Sequence, residues 1–331
     1  MKKILMVGTG GTIASEMTEA GLVPELTGAD FLKYVPAVRQ LCQVDCLQVC
    51  NIDSTNMTPA HWRQVAQAIQ LRYGGYDGFV VCHGTDTMGY TAAALSYLIQ
   101  DSPKPIVLTG SQKSICLENT DARMNLYNAF LYAASEGSRG VSLVFDGKVI
   151  LGTRARKERT KSFNAFSSVD YPEIGVIRDG RLIRYLPALD AKESPDFYHT
   201  LEDRVLLLTL IPGMGTEALA ALEDSYQAVI LQSFGVGGLP GGGSGPFAQA
   251  VERWLQAGKT IVMLTQVPYE GSDMAVYQVG YQVKEKYRLL EGYNMTLEAA
   301  VTKLMWVLGR TRDPEQVEEL FYRPVQWDII R

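Results

Sequence analysis

The sequence predicts a two-domain α/β protein. A larger N-terminal domain has a doubly wound, mostly parallel sheet, and a smaller C-terminal domain consists of parallel strands and helices. The first supporting observation is a series of short, continuously apolar runs that end abruptly at glycine or polar turns. Such runs are typical of strands buried on both faces of a parallel sheet. The second is that helical segments lie between these runs, and this alternation indicates a doubly wound architecture.

The first buried strand is predicted at 4–7, directly before the turn Gly8-Thr9-Gly10-Gly11. Further apolar runs end in the same way at 78–82, 105–108, 204–210, 228–231 and 260–264. One apolar stripe, spaced by four, three and four positions, consists of Met88, Ala92, Leu95 and Ile99. This spacing predicts a helix that packs one face against a sheet.

A further strand is predicted around three cysteines, Cys42, Cys46 and Cys50. They share the even-numbered positions with Val44 and Ile52, so in a strand all of them lie on one face. We therefore expect these cysteines to be small buried hydrophobic residues.

The domain boundary is predicted from a polar segment that runs from Leu186-Pro187 to Asp203, contains a second proline and has no hydrophobic period. A chain of 331 residues is long enough for two domains. We predict an N-terminal catalytic domain over 1–190, a linker over 191–204 and a C-terminal domain over 205–331. Each domain then has enough residues for a core of its own.

Composition excludes several classes of protein. The chain has 31 basic and 36 acidic residues, a net charge of −5 and no run of lysine or arginine, so nucleic acid is not an expected partner. No apolar run approaches the roughly 20 residues that cross a bilayer, and the four apolar residues at 4–7 are too few for a secretion signal. Five cysteines cannot all pair, and none has zinc-site spacing. We expect a cytoplasmic protein without metal or membrane contact.

Polar side chains, most of them hydroxyls, follow the predicted strands of the N-terminal domain. Because ligands of open α/β sheets bind beyond the carboxyl ends of the strands, these are the candidate site residues. They are Thr9 and Thr12, then His83, Thr85, Asp86 and Thr87, then Thr109 and Ser111. A hydroxyl beside exposed backbone N–H groups suits a nucleophile, and a carboxylate in the neighbouring turn suits an ammonium group.

The glycine-rich turn at 8–13 does not match a dinucleotide-binding fingerprint. That fingerprint requires a small residue at position 13, where the bulky Ile13 stands. It also requires an acidic residue at the end of a second strand about 20 residues later. The candidate, Asp30, lies in a segment that resembles the start of a helix.

Two segments resemble the signature segments of the bacterial-type L-asparaginases: Gly8-Thr9-Gly10-Gly11-Thr12-Ile13-Ala14-Ser15 and His83-Gly84-Thr85-Asp86-Thr87-Met88. Both occur at strand-to-helix turns and in the family's order. The resemblance continues through 108–112, 125–129, the pair Thr160-Lys161 and 232–237, and so covers nearly the whole chain.

The resemblance implies an amidohydrolase that splits the side-chain amide of L-asparagine into aspartate and ammonia without a cofactor. It implies that Thr12 is the nucleophile, acylated in a covalent ester, and that Thr85 is a second catalytic threonine hydrogen-bonded to Lys161. A lysine accepts a proton only when it is neutral. The alternative for Lys161 is a solvated position on a basic stretch.

The resemblance also implies a set of substrate-binding residues. Asp86 binds the substrate's α-ammonium group and Ser54 its α-carboxylate, although Ser54 also fits simple turn chemistry ahead of a helix capped by Thr58. Backbone N–H groups near Thr85 and at the Ser111 turn form an oxyanion site, with Gly11 and Gly84 also lining the substrate. His83 is expected to be a hydrogen-bonded structural residue.

The chain departs from the family pattern at two places. The family carries a tyrosine on a loop over the site, and on the Gly-x-x-Pro frame Leu22 occupies that position here. The segments Gly237-Gly238-Leu239-Pro240 and Ser272-Asp273 differ from the residues that secreted members extend into a neighbouring subunit. The chain therefore resembles the cytoplasmic type I branch more closely.

Two other functions stay open. The amide-releasing subunit of a tRNA-dependent amidotransferase shares these motifs, but usually has an extra N-terminal domain, for which the first motif at Gly8 leaves no room. A non-catalytic sensor of asparagine or aspartate is compatible with the missing tyrosine. For the amidohydrolase, the resemblance implies a homodimer or homotetramer that acts on a small amino-acid substrate.

Overall fold

The computed structural model describes residues 1–11, 13, 15–18, 21–24, 28–242, 245–276, 281, 287 and 289–330. Its internal contacts divide the chain into two compact units, Met1–His199 and Thr200–Arg331. The boundary at 191–204 stays a prediction. Within that segment a two-residue strand, Asp196–Phe197, pairs antiparallel with Ile99–Gln100 of the first unit.

The strands of the first unit are, in chain order, β1 Lys3–Gly10, β2 Ser15–Thr18, β3 Gly21–Pro24, β4 Gln43–Ile52, β5 Gly78–Cys82, β6 Ile99–Gln100, β7 Pro105–Thr109, β8 Gly140–Phe145, β9 Lys148–Leu151, β10 Ala155–Lys157, β11 Phe166–Ser168, β12 Gly175–Arg178, β13 Arg181–Arg184 and β14 Asp196–Phe197. Its helices are α1 Gly28–Tyr34, α2 Val38–Leu41, α3 Pro59–Arg72, α4 Met88–Leu98 and α5 Ala122–Ala134.

Eight of these strands form one sheet in the order β13-β12-β9-β8-β7-β5-β1-β4. The pairs from β8 to β4 are parallel, whereas β9, β12 and β13 extend the other edge with antiparallel pairs. The parallel strands have their carboxyl ends at one edge of the sheet. The turns after β1, β4, β5 and β7 therefore meet there.

Strand β1 confirms the predicted burial on both faces. Ile4 and Met6 pack in one core cluster with Leu126 and Phe130 of α5, and the intervening Leu5 is buried too. All four residues of the predicted stripe are buried. The first three lie on α4, whereas the last, Ile99, begins β6 instead of continuing the helix.

The cysteine strand exists, but the predicted burial of its side chains is wrong in part. Cys42 is buried just before β4, Cys50 is half-buried and Cys46 is exposed. The reason is that β4 is the edge strand of the sheet and pairs only with β1, so it has less cover than an interior strand.

The second unit has a four-stranded parallel sheet in the order β15-β16-β17-β18, with strands Val205–Thr209, Ala228–Ser233, Thr260–Thr265 and Leu290–Glu291. Its described helices are α6 Glu217–Leu222, α7 Pro246–Gln256, α8 Leu297–Leu308 and α9 Pro314–Tyr322. Trp254 of α7 is fully buried in the core, and its indole N–H donates to the Leu219 carbonyl over 3.0 Å. The predicted α/β architecture of both parts is confirmed.

A buried ion pair fastens the end of the chain to α8. Lys303 Nζ lies 2.6 Å from Asp328 Oδ2, and both side chains are fully buried. The same ammonium donates to the Arg323 carbonyl over 2.8 Å, while Asp328 accepts from the Val325 N–H over 2.9 Å. These hydrogen bonds offset the cost of removing two charges from water.

We expect Asp328→Ala to lower the free energy of unfolding by about 3–5 kcal/mol, because it leaves the Lys303 charge buried without its counterion. Urea denaturation followed by circular dichroism measures the change. The control is Glu173→Gln, which breaks the partly exposed pair with Lys148 and should leave the midpoint nearly unchanged. Equal midpoints for the two variants would contradict a stabilising role of the buried pair.

Candidate functional site

Three turns of the first unit touch at the carboxyl edge of its sheet. Gly11 has a φ of +85°, and a Cβ there would lie 2.4 Å from the Cα of Gly84. A Cβ on Gly84 would lie 2.7 Å from Ser54 Oγ. Glycine at both positions therefore permits the turns after β1, β4 and β5 to approach at backbone contact. The structure thus brings together three of the predicted substrate-binding residues.

Ser54 lies on a short 3₁₀ turn, Ser54–Asn56, and is buried. The Asp53 carboxylate caps the turn by accepting from the Thr55 N–H over 2.8 Å. The Thr87 hydroxyl donates to the Ser54 carbonyl over 2.8 Å and so joins this turn to the one after β5. Helix α3 then begins at Pro59 behind its N-cap, Thr58.

The centre of the site is a cluster of Thr85, Asp86 and Lys157. Lys157 Nζ lies 2.8 Å from Thr85 Oγ1 and 2.6 Å from Asp86 Oδ1. Thr85 is buried, Lys157 is largely buried, and the Asp86 side chain is 58% exposed. The ammonium therefore joins a sheltered hydroxyl to a carboxylate that faces solvent.

The predicted hydrogen bond between Thr85 and Lys161 is wrong. Strand β10 ends at Lys157 and pairs antiparallel with β11, where Lys157 lies opposite Phe166. The residues between these strands form their connecting loop, in which Lys161 is exposed. Lys157 lies next to Thr85 because it is the last residue of β10. The motif suggested Lys161, four residues later.

Ser111 lies in the turn after β7, next to this cluster. It is buried, and its hydroxyl donates to the Lys113 carbonyl over 2.5 Å. Its neighbour Gly110 lies so close to the preceding turn that a Cβ there would be 2.2 Å from the His83 carbonyl oxygen. The Ser111 side chain thus shapes its own loop, and the binding role stays a prediction.

The turn after β7 is fastened by two buried polar side chains at the start of α5. The Asp121 carboxylate accepts from the backbone N–H groups of Gln112 over 2.9 Å and Lys113 over 3.1 Å. The Asn125 amide donates to Asp121 over 3.1 Å and to the Gly110 carbonyl over 3.0 Å. Burial raises the pKa of the Asp121 carboxyl, and the hydrogen bonds that it accepts counteract part of that rise.

His83 is a buried, hydrogen-bonded residue, as predicted. Its Nδ1 lies 2.6 Å from the Gly84 carbonyl, which only accepts, so Nδ1 carries the proton. Nε2 lies 2.9 Å from Thr91 Oγ1, which also accepts from the Trp62 indole over 2.9 Å. The Thr91 hydroxyl therefore donates to Nε2 of a neutral ring. Burial lowers the pKa of His83 to about 4.

Two predicted features lie wholly or partly outside the described residues. Thr12 is one, although its neighbours Gly11 and Ile13 are described and buried. The region of the absent tyrosine is the other. There the backbones of β2 and β3 form an antiparallel hairpin in which Leu22 pairs with Met17. Among the described residues, no group of three or more His, Cys, Asp and Glu side chains could hold a metal ion.

The family follows from two domain models that together span most of the chain. The model described as "Asparaginase, N-terminal" matches residues 3–188, and the "Glutaminase/Asparaginase C-terminal domain" matches residues 204–321. The chain belongs to the asparaginase family. The resemblance carried by the two signature segments is thereby confirmed.

Several relatives are similar to this chain over nearly all of its length. The L-asparaginase of Thermococcus kodakarensis is 37% identical over 329 residues, 99% of each chain. L-asparaginase 1 of Escherichia coli K12 is 30% identical, over 99% of this chain and 98% of its own. A glutamyl-tRNA(Gln) amidotransferase subunit of Pyrococcus abyssi is 33% identical over 97% of this chain, and the match spans 75% of that relative.

Solved structures of the family share the fold over the whole chain. The thermostable L-asparaginase of T. kodakarensis has a TM-score of 0.93 at 35% identity and covers 99% of each chain. A probable cytoplasmic L-asparaginase of Campylobacter jejuni has a TM-score of 0.84 at 27% identity, over 98% of this chain and 100% of its own. No helix in the described part of this chain has the length and apolar character required to span a membrane.

Sequence reasoning missed two residues of the site, Lys157 and Gln112. Gln112 accepts a hydrogen bond from the Thr85 hydroxyl over 3.1 Å. A signal for Lys157 was present, because in a strand it lies on the same face as the apolar Ala155 two positions earlier. For Gln112 the sequence offers only its place in a turn after a buried strand.

We expect acidification to destabilise the protein through His83. Its pKa is about 4 in the folded state and 6.5 as a free group, so between these values the unfolded chain binds more protons and stability falls as the pH falls. The loss over this range is roughly 3 kcal/mol. Urea titrations at several pH values measure it, with His83→Asn as the control that lacks the titration. Parallel pH curves for the two proteins would refute this assignment.

Proposed function

We propose that the protein is an amidohydrolase that converts L-asparagine to L-aspartate and ammonia, with Thr12 as its nucleophile. The observation that carries the proposal is the Lys157–Thr85–Asp86 cluster at the carboxyl edge of the sheet. A hydroxyl in contact with a lysine can take part in proton transfer, and a solvent-facing carboxylate beside it can hold an ammonium group. The family relatives named L-asparaginase support the same activity.

The reaction proceeds through an ester on Thr12. The Thr12 oxygen attacks the side-chain amide carbon, and its proton passes through the Thr85 hydroxyl to Lys157, because a lysine accepts a proton only in its neutral form. The C–N bond then breaks, and ammonia leaves with that proton. Water attacks the ester, gives one proton to the pair, and the pair returns it to the Thr12 oxygen as aspartate is released. No other reactant is needed.

Substrate binding involves the exposed Asp86 and the buried Ser54. The Asp86 carboxylate is paired with Lys157, and 58% of its side chain is exposed. It is therefore accessible to the α-ammonium group of the substrate. Ser54, in contact range of Gly84, receives the α-carboxylate. Backbone N–H groups around Gly84, Thr85 and Ser111 stabilise the oxyanion. The Gly11 N–H donates to the Ile52 carbonyl over 3.0 Å, so the contribution of Gly11 is to leave room for Gly84.

We further propose that the protein works in the cytoplasm as a homodimer or homotetramer on a small amino-acid substrate, without nucleic acid. The structural neighbour described as a probable cytoplasmic L-asparaginase supports the location. Light scattering tests the assembly. Ammonia release with several amides separates the hydrolase from a sensor, which would bind without turnover. Dependence on a partner and on tRNA would instead indicate an amidotransferase subunit.

We expect Lys157→Met to lower kcat about 10²- to 10⁴-fold, because the variant keeps the length of the side chain but loses proton transfer with Thr85. Lys161→Met is the matched control, since Lys161 is exposed in the loop after β10. Coupled ammonia assays measure both variants. A large loss for Lys161→Met together with a small one for Lys157→Met would reverse the assignment.

We expect Thr12→Ala to abolish ammonia release, and mass spectrometry of the quenched wild-type enzyme to find the aspartyl adduct on Thr12. An adduct on another residue would remove Thr12 from its role.

We expect Asp86→Ala to raise KM, because its contact with the ammonium group exists in the ground state and the transition state alike. It should also lower kcat, because Asp86 holds Lys157 beside Thr85. Steady-state ammonia release measures both constants, and an unchanged KM would remove Asp86 from substrate binding.

A further inference from the structure

The Gln112 side chain joins three parts of the first unit at Thr85. Its Oε1 accepts from the Thr85 hydroxyl over 3.1 Å. Its Nε2 donates to the carbonyls of Arg159 and Ser162, each over 3.2 Å. Both carbonyls belong to the loop that follows Lys157. One amide thus connects the turn after β7, the turn after β5 and the β10–β11 loop.

The orientation of this amide is determined by its partners. Backbone carbonyls only accept hydrogen bonds, so the NH₂ group of Gln112 must face Arg159 and Ser162. Its carbonyl oxygen then faces Thr85, and that oxygen accepts only. The Thr85 hydroxyl proton therefore points to Gln112, while the hydroxyl oxygen accepts from Lys157 over 2.8 Å.

The backbone of Gln112 is also held by hydrogen bonds. Its backbone N–H donates to both oxygens of the buried Asp121 carboxylate, over 3.1 and 2.9 Å. Asn125 fixes that carboxylate from the next turn of α5 over 3.1 Å. A side chain anchored at both ends imposes its geometry on a hydroxyl that otherwise rotates freely.

We propose that Gln112 is a positioning residue that directs the Thr85 hydroxyl. In the resting site it accepts the hydrogen bond of that hydroxyl, which holds the oxygen against Lys157 and leaves the second lone pair for the Thr12 hydroxyl. In the transfer step the Thr85 hydroxyl turns from Gln112 and gives its proton to a neutral Lys157 while it takes up the proton of Thr12. Gln112 acts through its hydrogen bond with Thr85. The inference rests on the proposed function, because it concerns the hydroxyl that transfers the proton there.

A simpler role would be a tether between two loops. The structure holds a second connection between the same loops that does not involve Thr85. Lys113 Nζ lies 5.5 Å from the centre of the Phe163 ring, a cation–π contact. If Gln112 serves only to hold the loops together, loss of the Lys113 contact should have a comparable effect on the reaction.

The first test compares Gln112→Met with Lys113→Met in steady-state ammonia release from L-asparagine. We expect Gln112→Met to lower kcat about tenfold to a hundredfold, because misplacing a reacting group has costs of that order. Its KM should stay within about threefold, since Ser54 and Asp86 are unchanged. Lys113→Met should keep kcat within about twofold. Equal effects of the two variants, or a wild-type kcat for Gln112→Met, would overturn the proposal.

Gln112→Glu is a second variant in case Gln112→Met does not fold, as judged by circular dichroism and urea denaturation. A carboxylate still accepts from Thr85 but cannot donate to the Arg159 and Ser162 carbonyls. We expect its kcat to stay within about fivefold of the wild type. A loss of tenfold or more would show that the loop contacts, and not the Thr85 contact, are what the reaction needs.

A double-mutant cycle with Thr85→Val shows whether the two side chains act as one unit. In the Thr85→Val background, we expect Gln112→Met to change the residual rate by less than about twofold. A further loss as large as in the wild type would overturn the positioning role. If the wild type releases no ammonia from any amide, the proposed function itself fails. A fully active wild type with a fully active Gln112→Met refutes this inference alone.

Discussion

The site depends on the contact between the backbones at Gly11 and Gly84. Parallel pairing of β1 with both β4 and β5 brings three turns to one edge of the sheet, but it does not by itself let them touch. At Gly11 a Cβ would lie 2.4 Å from the Cα of Gly84, and at Gly84 a Cβ would lie 2.7 Å from Ser54 Oγ. Only the absence of both side chains allows this packing. It brings the Ser54 turn against the turn that carries Thr85 and Asp86.

Around this contact the protein buries polar groups and satisfies them with hydrogen bonds. Asp121 accepts from two backbone N–H groups and from Asn125, and His83 is neutral between the Gly84 carbonyl and Thr91. Burial disfavours the charged form of both residues. Because an unsatisfied buried polar group costs roughly 1–3 kcal/mol, such a network has few alternative arrangements. The turns beside Thr85 are therefore held in one geometry.

The motif did not determine which lysine, Lys161 or Lys157, contacts Thr85. The motif indicated that a lysine lies near Thr85, and the stretch offers several basic residues within a few positions. Which of them reaches Thr85 depends on where β10 ends, and that is set by its antiparallel pairing with β11. Cys46 is a similar case, because the period of β4 was evident but its place at the edge of the sheet was not. Both outcomes depend on pairing between distant segments.

The sequence by itself determined the α/β class, the buried strands, the turns that carry hydroxyls and the resemblance to the asparaginase family. These follow from local signals, such as an apolar run that stops at a glycine or a motif in a fixed order. The tertiary structure alone decided that Lys157 pairs with Thr85, that Gln112 accepts a hydrogen bond from the Thr85 hydroxyl, and that Asp121 and Asn125 hold the turn after β7. The physical reason is that hydrogen bonds between residues far apart in the chain require distances and directions that only the packed sheet and helices fix.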